Sequence, residues 1–151
     1  MKTFTLDEAQ SMLPLVEKLL NRAIESKQAA EAIDSELSSL ARRIHLAGGM
    51  LIDVMQVAGQ RSAMEKHIQR ARETVEEIDE IGVQVKDLES GLLDFPCRVD
   101  DEVVLLCWKS GETAIEHWHT MESGFQGRQP IDDRFRRRTS SGNFGPGTRP
   151  N

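Results

Sequence analysis

The chain has 151 residues, 38% of them hydrophobic and 29% charged, enough for one domain with a real core. Its formal charge of −6 is uneven: from residue 132 onward five arginines face two aspartates, which makes that end +3 and leaves −9 on residues 1–131. An acidic body argues against general nucleic-acid binding, which depends on neutralising phosphates, and no apolar run approaches the roughly 20 residues that span a bilayer.

Thr5-Leu-Asp-Glu8 spells a capping box, with a short helix expected over about 6–13. Pro14 then either begins the next helix or lies within a continuous one. From there apolar residues recur every seven positions. One seam takes Val16, Ala23, Ala30, Leu37 and Ile44; the other takes Leu19, Ser26, Ile33, Leu40 and Ala47. Only Ser26 breaks the pattern, which predicts a helix packed in coiled-coil fashion up to Gly48-Gly49.

A second series follows. Val54, Ile68 and Val75 form one seam, interrupted by Arg61, and Val57, Met64, Ala71 and Ile78 form the other, before a C-cap glycine at Gly82. The expectation is an antiparallel helical hairpin over about 14–82. Its alanines leave the seam thin, so a further helix or a second copy of the chain should cover it.

After Gly82 the period shortens to two. Leu92–Val99 and Glu102–Trp108 predict a β-hairpin turning at Asp100-Asp101. Val103–Trp108 is apolar on both faces and should be covered on both. Pro96 places its strand at an edge. Cys97 falls opposite Val104, so neither a disulfide nor a Cys/His zinc site follows from the spacing of Cys97 and Cys107. Both read as small buried apolar residues.

Ser110 can N-cap a third helix, about 111–122. On that helix Ala114, Ile115, Trp118 and Met121 would face the core, while Glu112, Glu116 and His119 would converge on the opposite side. Two carboxylates and an imidazole at i, i+4 and i+7 could bind one divalent metal, with Mn, Fe or Zn favoured over copper. A solvated helix face is the blander explanation of the same pattern. Arg128, between Gly127 and Gln129, is a candidate anion site. The alternative is a loop arginine that bonds carbonyls and stacks on Trp108, Trp118 or Phe125. His117 lies between the two faces and is the weaker candidate, and His45 and His67 earn no role. Residues 132–151 read as a basic, disordered tail.

Phe4-Thr-Leu-Asp-Glu-Ala9 with Leu13-Pro14, Val85-Lys-Asp-Leu88, Gly91-Leu-Leu-Asp-Phe-Pro96, Leu106-Cys-Trp108, Gly111-Glu112, Trp118-His119 and Gly124-Phe-Gln-Gly-Arg-Gln-Pro130 form a set. Together they resemble the small bacterial and archaeal proteins grouped as domain of unknown function 2203. The resemblance covers about residues 3–131. It implies a cytoplasmic prokaryotic protein and carries no catalytic residues with it.

The expected fold is therefore α+β and helix-dominated: a long helical hairpin, a small antiparallel β-hairpin and a C-terminal helix. The expected function is a non-enzymatic, self-associating interaction module in the cytoplasm, without nucleic acid or membrane. The alternative is a metal-binding protein or metal-dependent enzyme using Glu112, Glu116, His119 and Arg128.

Overall fold

The computed structural model describes residues 1–137. Helix α1 runs without interruption over Leu6–Leu46 and helix α2 over Val54–Ile81. At 1.5 Å per residue they are about 60 and 40 Å long. The capping box forms: the Glu8 amide donates to Thr5 Oγ1 at 3.1 Å, and the Thr5 amide donates to Glu8 Oε1 at 2.9 Å. Pro14 lies inside α1 rather than at the start of a new helix. Asp53 caps α2, and Gly82 closes it with a left-handed φ of 105°.

The helices pack antiparallel, with Gln60 donating to Glu36 near the tip. Burial follows the sevenfold pattern only in the half nearest the sheet. Val16, Leu19, Ala23, Ser26 and Ala30 are buried, against Ala71, Thr74 and Ile78. Further out, Ile33, Leu37, Leu40, Val57 and Met64 are only partly covered, and Ile68 is 42% exposed. The thin seam is thus a feature of the distal half.

Five antiparallel strands form one sheet in the order β1 Gln84–Asp87, β2 Leu92–Val99, β3 Glu102–Lys109, β4 His117–Thr120 and β5 Gln129–Pro130. The expected β-hairpin is β2–β3. Its two-residue turn has positive φ at Asp100 (51°) and Asp101 (64°), and it places Cys97 opposite Val104. A turn of that hand matches the twist of the flanking strands.

Three expectations are corrected. Residues 111–122 are a turn followed by strand β4, not a helix. Gly111, with φ of 101°, breaks helical backbone where the first turn should begin. From Ile115 onward the β-branched and aromatic residues fit a strand, and β4 pairs with β3, with Trp118 opposite Leu106. Second, β2 lies between β1 and β3 and is not an edge strand. Pro96 is tolerated because β1 pairs only as far as Asp94, so β2 has no β1 neighbour there. Third, the tail is helical over Asp133–Arg137 (α3), and Phe135 is buried against Trp118, ring centroids 5.5 Å apart. The remainder of the expected disordered tail lies outside the described residues.

One face of the sheet builds the core with the helices. Leu93, Phe95, Val104, Leu106, Trp108 and Trp118 pack with Leu13, Val16, Leu20 and Ile78. Strand β3, in the middle, is buried on both faces, as its sequence requires. Among the described residues no helix is long and apolar enough to cross a membrane.

Candidate functional site

Alternation along the strands sends a second set of side chains to the other face. Register puts Asp94 of β2 directly opposite Cys107 of β3, while His119 of β4 lies opposite Leu105, two residues from Cys107. Asp94, Cys107 and His119 therefore share the face away from the helices, and all three are almost fully buried. His119 Nε2 stands 3.0 Å from Asp94 Oδ1, and its Nδ1 lies 2.7 Å from the Thr120 carbonyl oxygen. Burial and the neighbouring Asp94 carboxylate push the Cys107 thiol up to about 12. Without a metal ion it is a neutral thiol at neutral pH.

A second group adjoins the first. After β3 the chain turns at Gly111, and the Glu112 carboxylate accepts the Lys109 amide at 2.6 Å, while the Glu112 carbonyl accepts Trp108 Nε1 at 3.0 Å. The Ile115 amide donates to Gln10 on α1 at 2.9 Å, which ties this loop to the helical layer. From the far side, Arg128 Nη2 donates to both oxygens of Glu112 at 2.8 and 2.9 Å. It also lies 3.1 Å from His117 Nδ1. A guanidinium only donates, so that imidazole nitrogen accepts. Arg128 reaches the Cys107 carbonyl at 3.5 Å, which joins the two groups.

Phe125 sits over this end of the sheet, its ring 4.8 Å from the Arg128 guanidinium carbon and 5.6 Å from Lys109 Nζ. Gly127 keeps the loop tight: a Cβ there would stand 2.4 Å from Ser123 Cβ. Arg128 Nε is buried without a hydrogen-bond partner among the described residues.

The residues singled out from the sequence thus divide. His119 and Arg128 belong to the network, and Glu112 belongs to it as the partner of Arg128 rather than beside His119. Glu116 is exposed, just before β4, and its carbonyl accepts the Ile131 amide. The helix that would have aligned Glu112, Glu116 and His119 is absent. Arg128 is turned inward, over Phe125 and within reach of the Cys107 carbonyl, but its main partner is the Glu112 carboxylate, which neither expectation included. Trp108 and Trp118 are core residues whose indole nitrogens donate to the carbonyls of Glu112 and Pro130.

Sequence reasoning missed Asp94 and gave Cys107 no chemical role. A signal existed: an acid within Leu92-Leu-Asp-Phe-Pro-Cys97, otherwise apolar, must find a partner if that strand is buried.

The molecule is an α+β protein in which a long helical hairpin projects from a five-stranded antiparallel sheet, with a buried polar network on the sheet face away from the helices. Residues 2–131 match the family described as uncharacterized conserved protein (DUF2203), and the chain belongs to that family. No curated protein and no solved structure matches it. Asp94, Cys107, Glu112, His119 and Arg128 fall within the motifs that carry the family resemblance, and His117 does not.

Proposed function

We propose that this protein is a self-associating interaction module whose helical hairpin packs against the hairpin of a second copy. The observation that carries this reading is the apolar tip. Leu46 is 77% exposed, Leu51 100%, Val54 68% and Met55 81%, and Met50 and Ile52 accompany them. Most of the exposed large hydrophobic residues described lie within these ten positions, the kind of concentration that marks an interaction surface. An open groove between α1 and α2 runs beside them, lined by Leu40, Met50, Leu51, Ile52 and Val57 among others.

Charge complementarity supports a second copy as the occupant. Residues 73–80 near the sheet carry Glu73, Glu76, Glu77, Asp79 and Glu80 with no base, whereas Arg42, Arg43 and Arg61 lie towards the tip. An antiparallel partner lays its basic tip along the acidic base of the other hairpin, and its apolar residues over the thin distal seam. Electrostatic matching of this kind fixes orientation and register more than affinity. Cys97 and Cys107 lie on opposite faces of the sheet and form no disulfide with each other, which suits a reducing cytoplasm.

The test is light scattering across a concentration series. A dimer is expected for the wild type, with Leu51→Asp plus Met55→Asp giving a folded monomer. Arg43→Glu should weaken the dimer and Glu77→Arg in the same chain should restore it. A wild-type monomer at every concentration ends the proposal, as does a dimer indifferent to all of these changes.

A further inference from the structure

The buried trio on the outer sheet face poses a problem of protons. The Thr120 carbonyl can only accept, so the hydrogen of a neutral His119 sits on Nδ1. Its Nε2 then presents a lone pair to Asp94 Oδ1 at 3.0 Å, and an ionised carboxylate is also purely an acceptor. Two acceptors at that distance repel unless a cation or a further proton lies between them. Asp94 is 1% exposed and His119 2%, so water does not screen them. Cys107, 0% exposed, places its sulfur in the same cluster: one donor atom from each residue lies within 4.8 Å of the others.

We infer that Asp94, Cys107 and His119 form a zinc site, with ligands Oδ, Sγ and Nε2. Oxygen, sulfur and imidazole nitrogen together are a zinc donor set, since hard cations such as Mg and Ca avoid thiolate. The Nδ1–H bond to a backbone carbonyl is the outer contact that fixes a ligating imidazole with Nε2 towards the metal. Charge agrees as well. One carboxylate, one thiolate and a neutral imidazole balance a divalent ion, so the filled site is neutral overall, as deep burial favours. Two zinc bonds of about 2.0–2.1 Å at a tetrahedral angle hold N and O roughly 3.3 Å apart, so the observed 3.0 Å needs only a few tenths of an ångström of adjustment. On binding, the Cys107 proton leaves to solvent as the S–Zn bond forms, and the proton that separates Nε2 from Oδ1 in the metal-free protein leaves as zinc takes its place. Three protein ligands leave a fourth position for water or a small ligand. Glu112, held by Arg128, is not a ligand.

Metal-free protein titrated with Co2+ provides the test, because cobalt reports its ligands in its spectrum. One equivalent should give a near-ultraviolet thiolate-to-cobalt charge-transfer band and intense visible bands of four-coordination, both abolished by one equivalent of Zn2+. Cys107→Ser, nearly isosteric, should fold with unchanged circular dichroism and lose the charge-transfer band. Asp94→Asn and His119→Gln should weaken cobalt binding by more than the roughly 10–100-fold lost with an outer-sphere partner. If either fails to fold, the Cys107→Ser comparison still decides. A folded wild type that gives no charge-transfer band, or a band that persists in Cys107→Ser, overturns the assignment and leaves a buried His119–Asp94 ion pair.

Discussion

A single nitrogen of Arg128, Nη2, lies 2.8 and 2.9 Å from the two oxygens of Glu112, and this pairing decides what the arginine can do. Both side chains are mostly covered, with 16% and 27% of their surface exposed. Removing one partner from a pair this buried strands the other charge. Arg128→Ala should therefore cost about 2–4 kcal/mol in urea unfolding. Glu112→Gln, which keeps an acceptor, should cost about 1 kcal/mol. Equal effects would mean that packing, not charge, holds the pair.

The same geometry predicts a gain of binding. An anion at Arg128 must displace Glu112, so sulfate or phosphate should leave the melting temperature of the wild type unchanged. In Glu112→Ala, which leaves no acceptor there, the guanidinium is released, and either anion should raise the melting temperature in a concentration-dependent way. A wild type that responds as strongly as the variant would show that Glu112 does not guard the arginine.

For metal-free protein, the Cys107 thiol sets an alkaline limit. Its folded value is raised from 9.0 to about 12, chiefly by burial. A thiol raised in this way favours the folded state as long as it stays protonated. Its contribution is complete below about pH 9 and is lost as pH climbs towards 12. Native protein should resist alkylation at Cys107 at pH 8.5, with peptide mass spectrometry showing modification only after denaturant is added. Labelling at the rate of a free thiol would place the sulfur in contact with solvent.

Gly91 joins the β1–β2 turn to the end of β3, where its carbonyl accepts the Ser110 amide at 2.9 Å. Its φ is +72°, and a Cβ would stand 2.5 Å from Ser110 Cβ. Gly91→Ala should lose about 2–4 kcal/mol from backbone strain and collision together. Adding Ser110→Gly relieves the collision but not the strain, so rescue in a melting experiment should be partial.

At the β2–β3 turn both central residues are aspartates in left-handed backbone. Asp101→Gly should stabilise the protein by about 0.5–1 kcal/mol, because glycine takes that conformation without steric cost. A lower melting temperature would show that the Asp101 side chain contributes more than its strained backbone costs.

Much of this architecture is legible residue by residue. The Thr5–Glu8 capping box, the sevenfold spacing from Val16 onward, Gly82 and the Asp100-Asp101 turn act within a few positions of themselves. Residues 111–122 are not legible in that way. Glu112, Glu116 and His119 satisfy helical spacing, and His117 and His119 flanking Trp118 satisfy strand alternation equally well. A segment this short supports either period, and the exposed edge of β3 selected the strand by offering Val104–Cys107 as partners.

What the sequence determined by itself is the local part: two long helices, their half-apolar seam, one tight hairpin and a dense run of polar chemistry after Trp108. The tertiary structure alone decided which of those polar groups meet. Asp94, Cys107 and His119 sit on three different strands, and one step of register would turn any of them to the opposite face. That choice belongs to the packing of Phe95, Leu106 and Trp118 against α1 and α2, which sends the alternate residues outward together. Helical periodicity is written in neighbouring residues; the meeting of three strands is settled by the core beneath them.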